Sequence, residues 1–264
     1  TTADAAGWRP TKGELDRYGR EIPDAEYGTK DFERAVALKA RTEAIAKNLT
    51  EFLKKTDRYA KTIVFCVDQE HASDMRQALS NLNADLVVQY PDYVCRVTAD
   101  EGDIGRGHLS RFQDVDTNVP TILTTSQLLT TGVDAPTCKN IVLARVVESM
   151  SEFKQIIGRG TRVRDDYSKL WFNILDYTGS ATRLFADPTF DGDPARLTEE
   201  ELKDNGETTI ISEATTREAV HEDMLSLIQE PPSERRRKYY FDGGQVEIAA
   251  HLVYDLDPDG KQLR

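Results

Sequence analysis

Thr62-Ile63-Val64-Phe65-Cys66-Val67 is a short, nearly continuous run of β-branched and apolar residues. A run without polar alternation suits a strand buried on both faces, and such strands belong to parallel sheets covered by helices. Asp68 ends it, and residues 70–82 then carry Ala72, Met75, Ala78, Leu79 and Leu82 at helical spacing. The alternation repeats downstream. Tyr93 to Thr98 reads as a second strand, 105–113 as a short helix with Leu109 and Phe112, and Thr121 to Thr125 as a third strand. Asn140 to Val147 is a fourth strand, Ser151 to about Arg159 a helix capped by Ser151, and Leu170 to Tyr177 a fifth strand. Short buried strands alternating with helices predict an α/β fold, a parallel sheet with helices on both faces, over residues 61–182.

Outside this core the pattern changes. Residues 1–30 are turn-rich (Gly7, Pro10, Gly13, Gly19, Pro23, Gly28) and read as an extended lead-in. From Asp31, the residues Phe32, Val36, Leu38, Ile45, Leu49 and Phe52 recur at roughly helical spacing. They predict a helix, or a broken pair, ending near Lys55, so that 1–60 is a lead-in and helix. Residues 183–232 hold 13 acidic and 4 basic residues and read as an acidic linker with helices at 197–204 and 216–229. Residues 233–264 carry Tyr239-Tyr240-Phe241, then Asp242-Gly243-Gly244, then alternation, a β-hairpin signal. This predicts a small C-terminal β element, the start of another module. The chain begins Thr1-Thr2-Ala3 without methionine and reads as a piece of a longer protein.

The net charge of −12 looks unsuited to nucleic acid, but its distribution matters more. Residues 1–182 hold 27 acidic and 24 basic residues, so the core is close to neutral and could carry a basic groove. No apolar run is long enough to span a membrane. Cys66, Cys95 and Cys138 are widely spaced and odd in number, which argues against a disulfide framework or zinc site and suits a reducing cytoplasm. His71, His108, His221 and His251 are scattered, with no two at metal-ligand spacing.

The chemistry concentrates in Gln155-Ile156-Ile157-Gly158-Arg159-Gly160-Thr161-Arg162. Two arginines three residues apart can present two guanidinium forks to one phosphate, or can lie on a solvated helix face. Upstream, Thr124-Thr125-Ser126 offers hydroxyls suited to phosphate oxygens, although Thr124 and Thr125 read equally as ordinary strand residues. Gly132-Val133-Asp134 puts a carboxylate at a bend, where it could accept from a ribose hydroxyl or cap a turn. Asp68, Gln69 and His71 follow the first strand, where open α/β sheets bind ligands. No Gly-x4-Gly-Lys-Ser/Thr phosphate loop occurs, and Asp100-Glu101 does not follow an apolar strand as a metal-binding acidic pair would. Glu152-x-Lys154 mimics half of a nuclease site but falls inside the arginine-motif helix, and reads as an exposed pair.

The order Ile63-Val64-Phe65-Cys66, then Thr124 to Pro136, then Gln155 to Arg162 resembles motifs IV, V and VI of superfamily 2 helicases and translocases. Those motifs lie in the second RecA-like domain of such motors. With Gly7-Trp8-Arg9-Pro10, Leu184-Phe185-Ala186-Asp187-Pro188 and Lys238-Tyr239-Tyr240-Phe241-Asp242-Gly243, nearly the whole chain resembles the restriction (R, HsdR) subunits of type I restriction-modification enzymes of the EcoKI/EcoEI kind. The resemblance implies an ATP-dependent double-stranded DNA translocase, with cleavage by a separate N-terminal nuclease domain.

Carried over to this chain, the resemblance implies that Arg162 is the arginine finger on the γ-phosphate and Arg159 its partner. Gln155 would link nucleotide and DNA sites, with Gly158 beside it, and Gly132 and Asp134 would lie at the nucleotide edge. Thr124, Thr125, Ser126 and Cys66 would face the DNA backbone, and Thr98 would add a further phosphate contact. ATP and Mg2+ would be held mainly by a preceding RecA-like domain, and partners would include methyltransferase and specificity subunits. Two other readings differ in job or class. One is a repair or remodelling translocase or RNA helicase, which Gly7 to Pro10 and Lys238 to Gly243 argue against. The other is a RecA-like interaction module with vestigial arginines.

Overall fold

In the computed structural model, residues 7–28, 30–126, 137–157, 172–180, 197–202, 208–214, 238–241 and 248–256 are described. The core alternates as its sequence predicts: β2 (Thr62–Phe65), α2 (Gln69–Leu82), β3 (Val94–Arg96), α4 (Gly102–Gln113), β4 (Ile122–Thr125), β5 (Asn140–Leu143), α5 (Met150–Ile157) and β6 (Phe172–Asp176). A short α3 (Ala84–Gln89), not anticipated from the sequence, follows α2. The strands pair in parallel in the order β3-β4-β2-β5-β6, with Ile63 beside both Leu123 and Ile141.

Period-2 alternation then divides the core between the two faces. Val64, Cys66, Val142 and Leu175 pack with Ile45, Leu49 and Leu53 of α1 (Lys39–Lys55) and with Ala72, Met75 and Leu79 of α2. Ile63, Phe65, Leu123, Ile141, Leu143 and Ile174 pack on the other face with Phe112 of α4 and with Phe153 and Ile156 of α5. Each fully buried large apolar side chain contributes about 1.5–3 kcal/mol, so helices on both faces are anchored by the same strands.

The flanking segments depart from the sequence-based expectation. The predicted helix from Asp31 begins only at Lys39; residues Val36–Leu38 form β1, which pairs in parallel with β9 (Tyr239–Phe241). The expected helix at 197–204 is instead strand β7 (Leu197–Leu202), paired with β8 (Thr208–Ala214). Thr208-Thr209-Ile210-Ile211 is β-branched, and the pairing it offers overrides the helix propensity of the Glu199-Glu200-Glu201 run. The C-terminal hairpin is also corrected. Strand β10 (Ile248–Leu256) does not pair with β9; it runs antiparallel to β6 and β7 and extends the parallel sheet to eight strands, β3-β4-β2-β5-β6-β10-β7-β8. Strand pairing outside the core thus covers the β6 edge, which would otherwise be open. The predicted helix at 216–229 and the turns at 242–244 and 257–260 lie outside the described residues.

The lead-in packs against the core. Trp8 bridges Tyr27, and Ile22, Tyr27 and Phe32 join the buried cluster. Glu33 is buried in the left-handed region (φ 62°), with its N–H donating to Val36 O at 2.7 Å and its carboxylate accepting from Leu38 N at 3.2 Å. Burial raises its pKa to about 7, against the opposing pull of Arg41 and Lys238. The stability cost of ionising it is absent below about pH 4.5, grows as pH rises, and is complete above about pH 7. Glu33→Gln is therefore expected to stabilise the fold by roughly 2–3 kcal/mol at pH 8 and by far less at pH 5. Urea midpoints at the two pH values measure this; equal shifts at both would contradict it.

Candidate functional site

All five parallel strands end on one edge of the sheet, and their exits are held in register. Cys66 N donates to Thr125 O at 2.7 Å, Val97 N to Thr124 O at 2.9 Å, Ala144 N to Phe65 O at 3.0 Å and Tyr177 N to Leu143 O at 3.0 Å. This gathers Asp68, Thr98, Ser126, Arg145 and Thr178 at the carboxyl ends, the edge at which open parallel sheets bind ligands.

The sequence-predicted contacts separate by burial. Thr124 and Thr125 are fully covered; the Thr124 hydroxyl donates to Ala72 O at 2.8 Å, and the Thr125 hydroxyl has no partner among the described residues. Cys66 is also fully buried, and burial pushes its thiol well up from its ordinary pKa. All three side chains are buried because helices cover both faces of the sheet, so that neighbouring strand residues are enclosed whichever face they point to. Ser126, 8 % exposed, stands at the exit of β4. Thr98 is buried, with its hydroxyl given to Asp100. Asp100 and Glu101, the pair with a superficial likeness to a metal box, both bind Arg96, at 3.2 and 2.8 Å.

Asp68 caps α2 by accepting from His71 N at 2.8 Å. His71 is fully buried and accepts from Val67 N on Nδ1 at 3.3 Å. Burial, helped by Arg41 and Lys238, holds its pKa well below the usual histidine value, so it is a neutral structural side chain. Strand β9 and the residue before it close over this corner: Lys238 pairs with Asp68 at 3.0 Å and the Tyr240 hydroxyl bonds Glu70.

The arginine motif is approached through α5. Phe153 and Ile156 are fully buried, while Gln155 is exposed. The helix is capped by Ser149, whose hydroxyl accepts from Glu152 N at 3.1 Å, and not by Ser151 as its sequence suggests. Nor is Glu152 a free surface partner for Lys154: it binds the buried Arg145. Gly132, Asp134, Gly158, Arg159 and Arg162 lie outside the described residues.

Sequence spacing gave no sign of one cluster. Asp92, Cys95 and His108 converge with their ligand atoms within 4.8 Å of one another, beside a cavity of about 190 Å3. Cys95 Sγ lies 3.4 Å from His108 Nδ1. Arg111 already occupies the cluster, with its guanidinium 2.9 Å from Asp92 and 2.8 Å from His108 Nδ1. A metal would have to displace it, so the cluster is satisfied by the protein itself.

Residues 43–164 match the helicase conserved C-terminal domain family. The chain is 41% identical to the type I restriction enzyme EcoAI endonuclease subunit of Escherichia coli over 98% of its own length, covering 34% of that protein. It is 35% identical to the EcoKI endonuclease subunit of Escherichia coli K12 over 58% of its length, covering 13% of that protein. A fragment structure from Vibrio vulnificus YJ016, described as an HsdR subunit of a type I restriction enzyme, is 76% identical. It superposes with a TM-score of 0.56, covering 58% of this chain and 30% of that one. The chain spans about a third or less of the length of these relatives. Together with the five-stranded parallel core, these likenesses place the chain in the family of type I restriction enzyme R subunits, as a segment that carries the helicase C-terminal domain.

Proposed function

We propose that this segment is the second motor lobe of an ATP-dependent double-stranded DNA translocase. In this proposal Arg159 and Arg162 act on the phosphates of a nucleotide brought by a preceding RecA-like domain, and Arg162 is the arginine finger. Gly132, Asp134 and Gly158 border that nucleotide, and Gln155 relays between it and the DNA. The carboxyl edge of the sheet, with Ser126 at the β4 exit and Thr98 at the β3 exit, faces the DNA backbone.

The observation that carries this reading is the setting of α5. The helix is pinned by Phe153 and Ile156, shows Gln155 to solvent, and leads directly in sequence to residues 158–162. An arginine that stabilises a transferring phosphoryl group must be held in place beforehand, and a helix anchored on a rigid sheet meets that need. Asp100 and Glu101, whose sequence setting already argues against a metal-binding pair, are both bonded to Arg96. That supports assigning the metal contacts to another domain.

The arginines act in trans in this scheme, so half a nucleotide site gives no turnover. The purified 264-residue chain is expected to hydrolyse no ATP with or without duplex DNA, while the full-length subunit shows DNA-stimulated hydrolysis. A phosphate-release assay on both proteins tests this, and arginine-dependent turnover by the segment alone would overturn it. Methyltransferase and specificity subunits are the proposed assembly partners of the complete protein.

A further inference from the structure

The link between β5 and α5, residues 144–149, is tied at unusually many points. Arg145 is only 4 % exposed and donates from Nη2 to Glu152, on the first turn of α5. The second Glu152 oxygen accepts from Glu148 N at 3.4 Å. From the β6 side, the Thr178 hydroxyl donates to Arg145 O at 3.4 Å, and Ser180 Oγ accepts from Val147 N at 3.2 Å.

The chemistry makes Glu152 the decisive partner. Arg145 Nε has no hydrogen-bond partner among the described residues, and among those residues Glu152 is the carboxylate paired with this buried guanidinium. Lys30, Arg34 and Arg41 line the same narrow space, which adds like charge around it. A buried cation of this kind tolerates loss of its counter-charge poorly. It will drag or release whatever carries that counter-charge, and here the carrier is α5.

We propose that Arg145 and Glu152 form a positioning clamp for the arginine motif. The clamp fixes the angle at which α5 leaves the sheet, and so where Arg159 and Arg162 meet the nucleotide. The inference rests on the proposed function above. Displacement of a catalytic group by about 1 Å costs on the order of 100-fold in rate, so a helix angle is a sufficient lever.

The test uses the full-length subunit with duplex DNA and ATP. Glu152→Gln keeps shape and a hydrogen-bond acceptor but removes the charge, and it sits on the half-buried partner, which protects folding. It is expected to lower kcat by about 10- to 100-fold with the ATP KM within about twofold, since only transition-state contacts are disturbed. Arg145→Met should act alike, and the double variant should be no worse than the poorer single one. Arg34→Ala, which breaks the exposed Arg34–Glu148 pair (2.7 Å), should leave kcat within about twofold. Wild-type kcat in Glu152→Gln, even with a lower melting temperature, would overturn the clamp. Arg162→Ala, measured alongside, separates the two ideas. If it stops turnover while Glu152→Gln does not, the clamp falls and the motor assignment stands. If it turns over normally, both fall.

Discussion

Arg162→Ala in the full-length subunit is expected to lower DNA-stimulated ATP turnover by about 10^3- to 10^5-fold, the usual worth of an arginine finger. The charge that develops on the γ-phosphoryl oxygens is met in this account by a guanidinium fork that stays ionised at any working pH. Removing it should leave ATP binding nearly intact, because the proposed site assigns most ground-state contacts to the preceding domain. The effect therefore falls on kcat and not on KM. Arg162→Lys should rescue little, since a single ammonium cannot reproduce a planar two-pronged contact. Steady-state kinetics at saturating DNA read this directly, and a change below about tenfold would leave the finger assignment without support.

Phe153→Ala should be the most damaging single truncation on α5. The ring is fully buried among Phe65, Leu143, Phe172 and Ile156, on the sheet face opposite α1 and α2. Losing it removes transfer energy and leaves a cavity that strands β2 and β5 cannot collapse into, at a cost of about 3–5 kcal/mol. Against a total stability of about 5–15 kcal/mol, that is enough to lower the urea midpoint sharply. A loss below about 1 kcal/mol would mean that α5 is not anchored as described, and with it the basis for a preset arginine motif would go.

The parallel core was legible because its strands are compact apolar runs, with helices following β2, β3 and β5. Thr62 to Cys66 and Asn140 to Leu143 admit few other structures at that length. What the pattern could not supply was pairing. Val36–Leu38 is too short to read as a strand until Tyr239–Phe241 lies beside it, more than 200 positions away. Glu199-Glu200-Glu201 looks helical in isolation and becomes a strand because Ile248–Leu256 offers it a ladder. The same limit applied to the hairpin: a turn signal says that the chain reverses, not which strands then pair.

The site was legible in motif and less so in contact. Thr124 and Thr125 occur where hydroxyls would suit phosphates, yet they point to opposite faces of a sheet that is covered on both, and each is buried. Arg145 carried no motif signal. Its importance depends on burial and on a carboxylate seven residues later across a loop, and neither is visible in spacing alone.

Displacement of a triplex-forming strand from duplex DNA by the full-length subunit is the most direct measure of the motor assignment, since it reports movement along DNA and not hydrolysis alone. The wild-type subunit, assembled with the proposed methyltransferase and specificity partners, is expected to displace the strand only with ATP. The Arg162→Ala form is expected to bind ATP and DNA normally and displace none of it. Displacement by Arg162→Ala at the wild-type rate would contradict the assignment of this lobe as the arginine-donating half of a translocase.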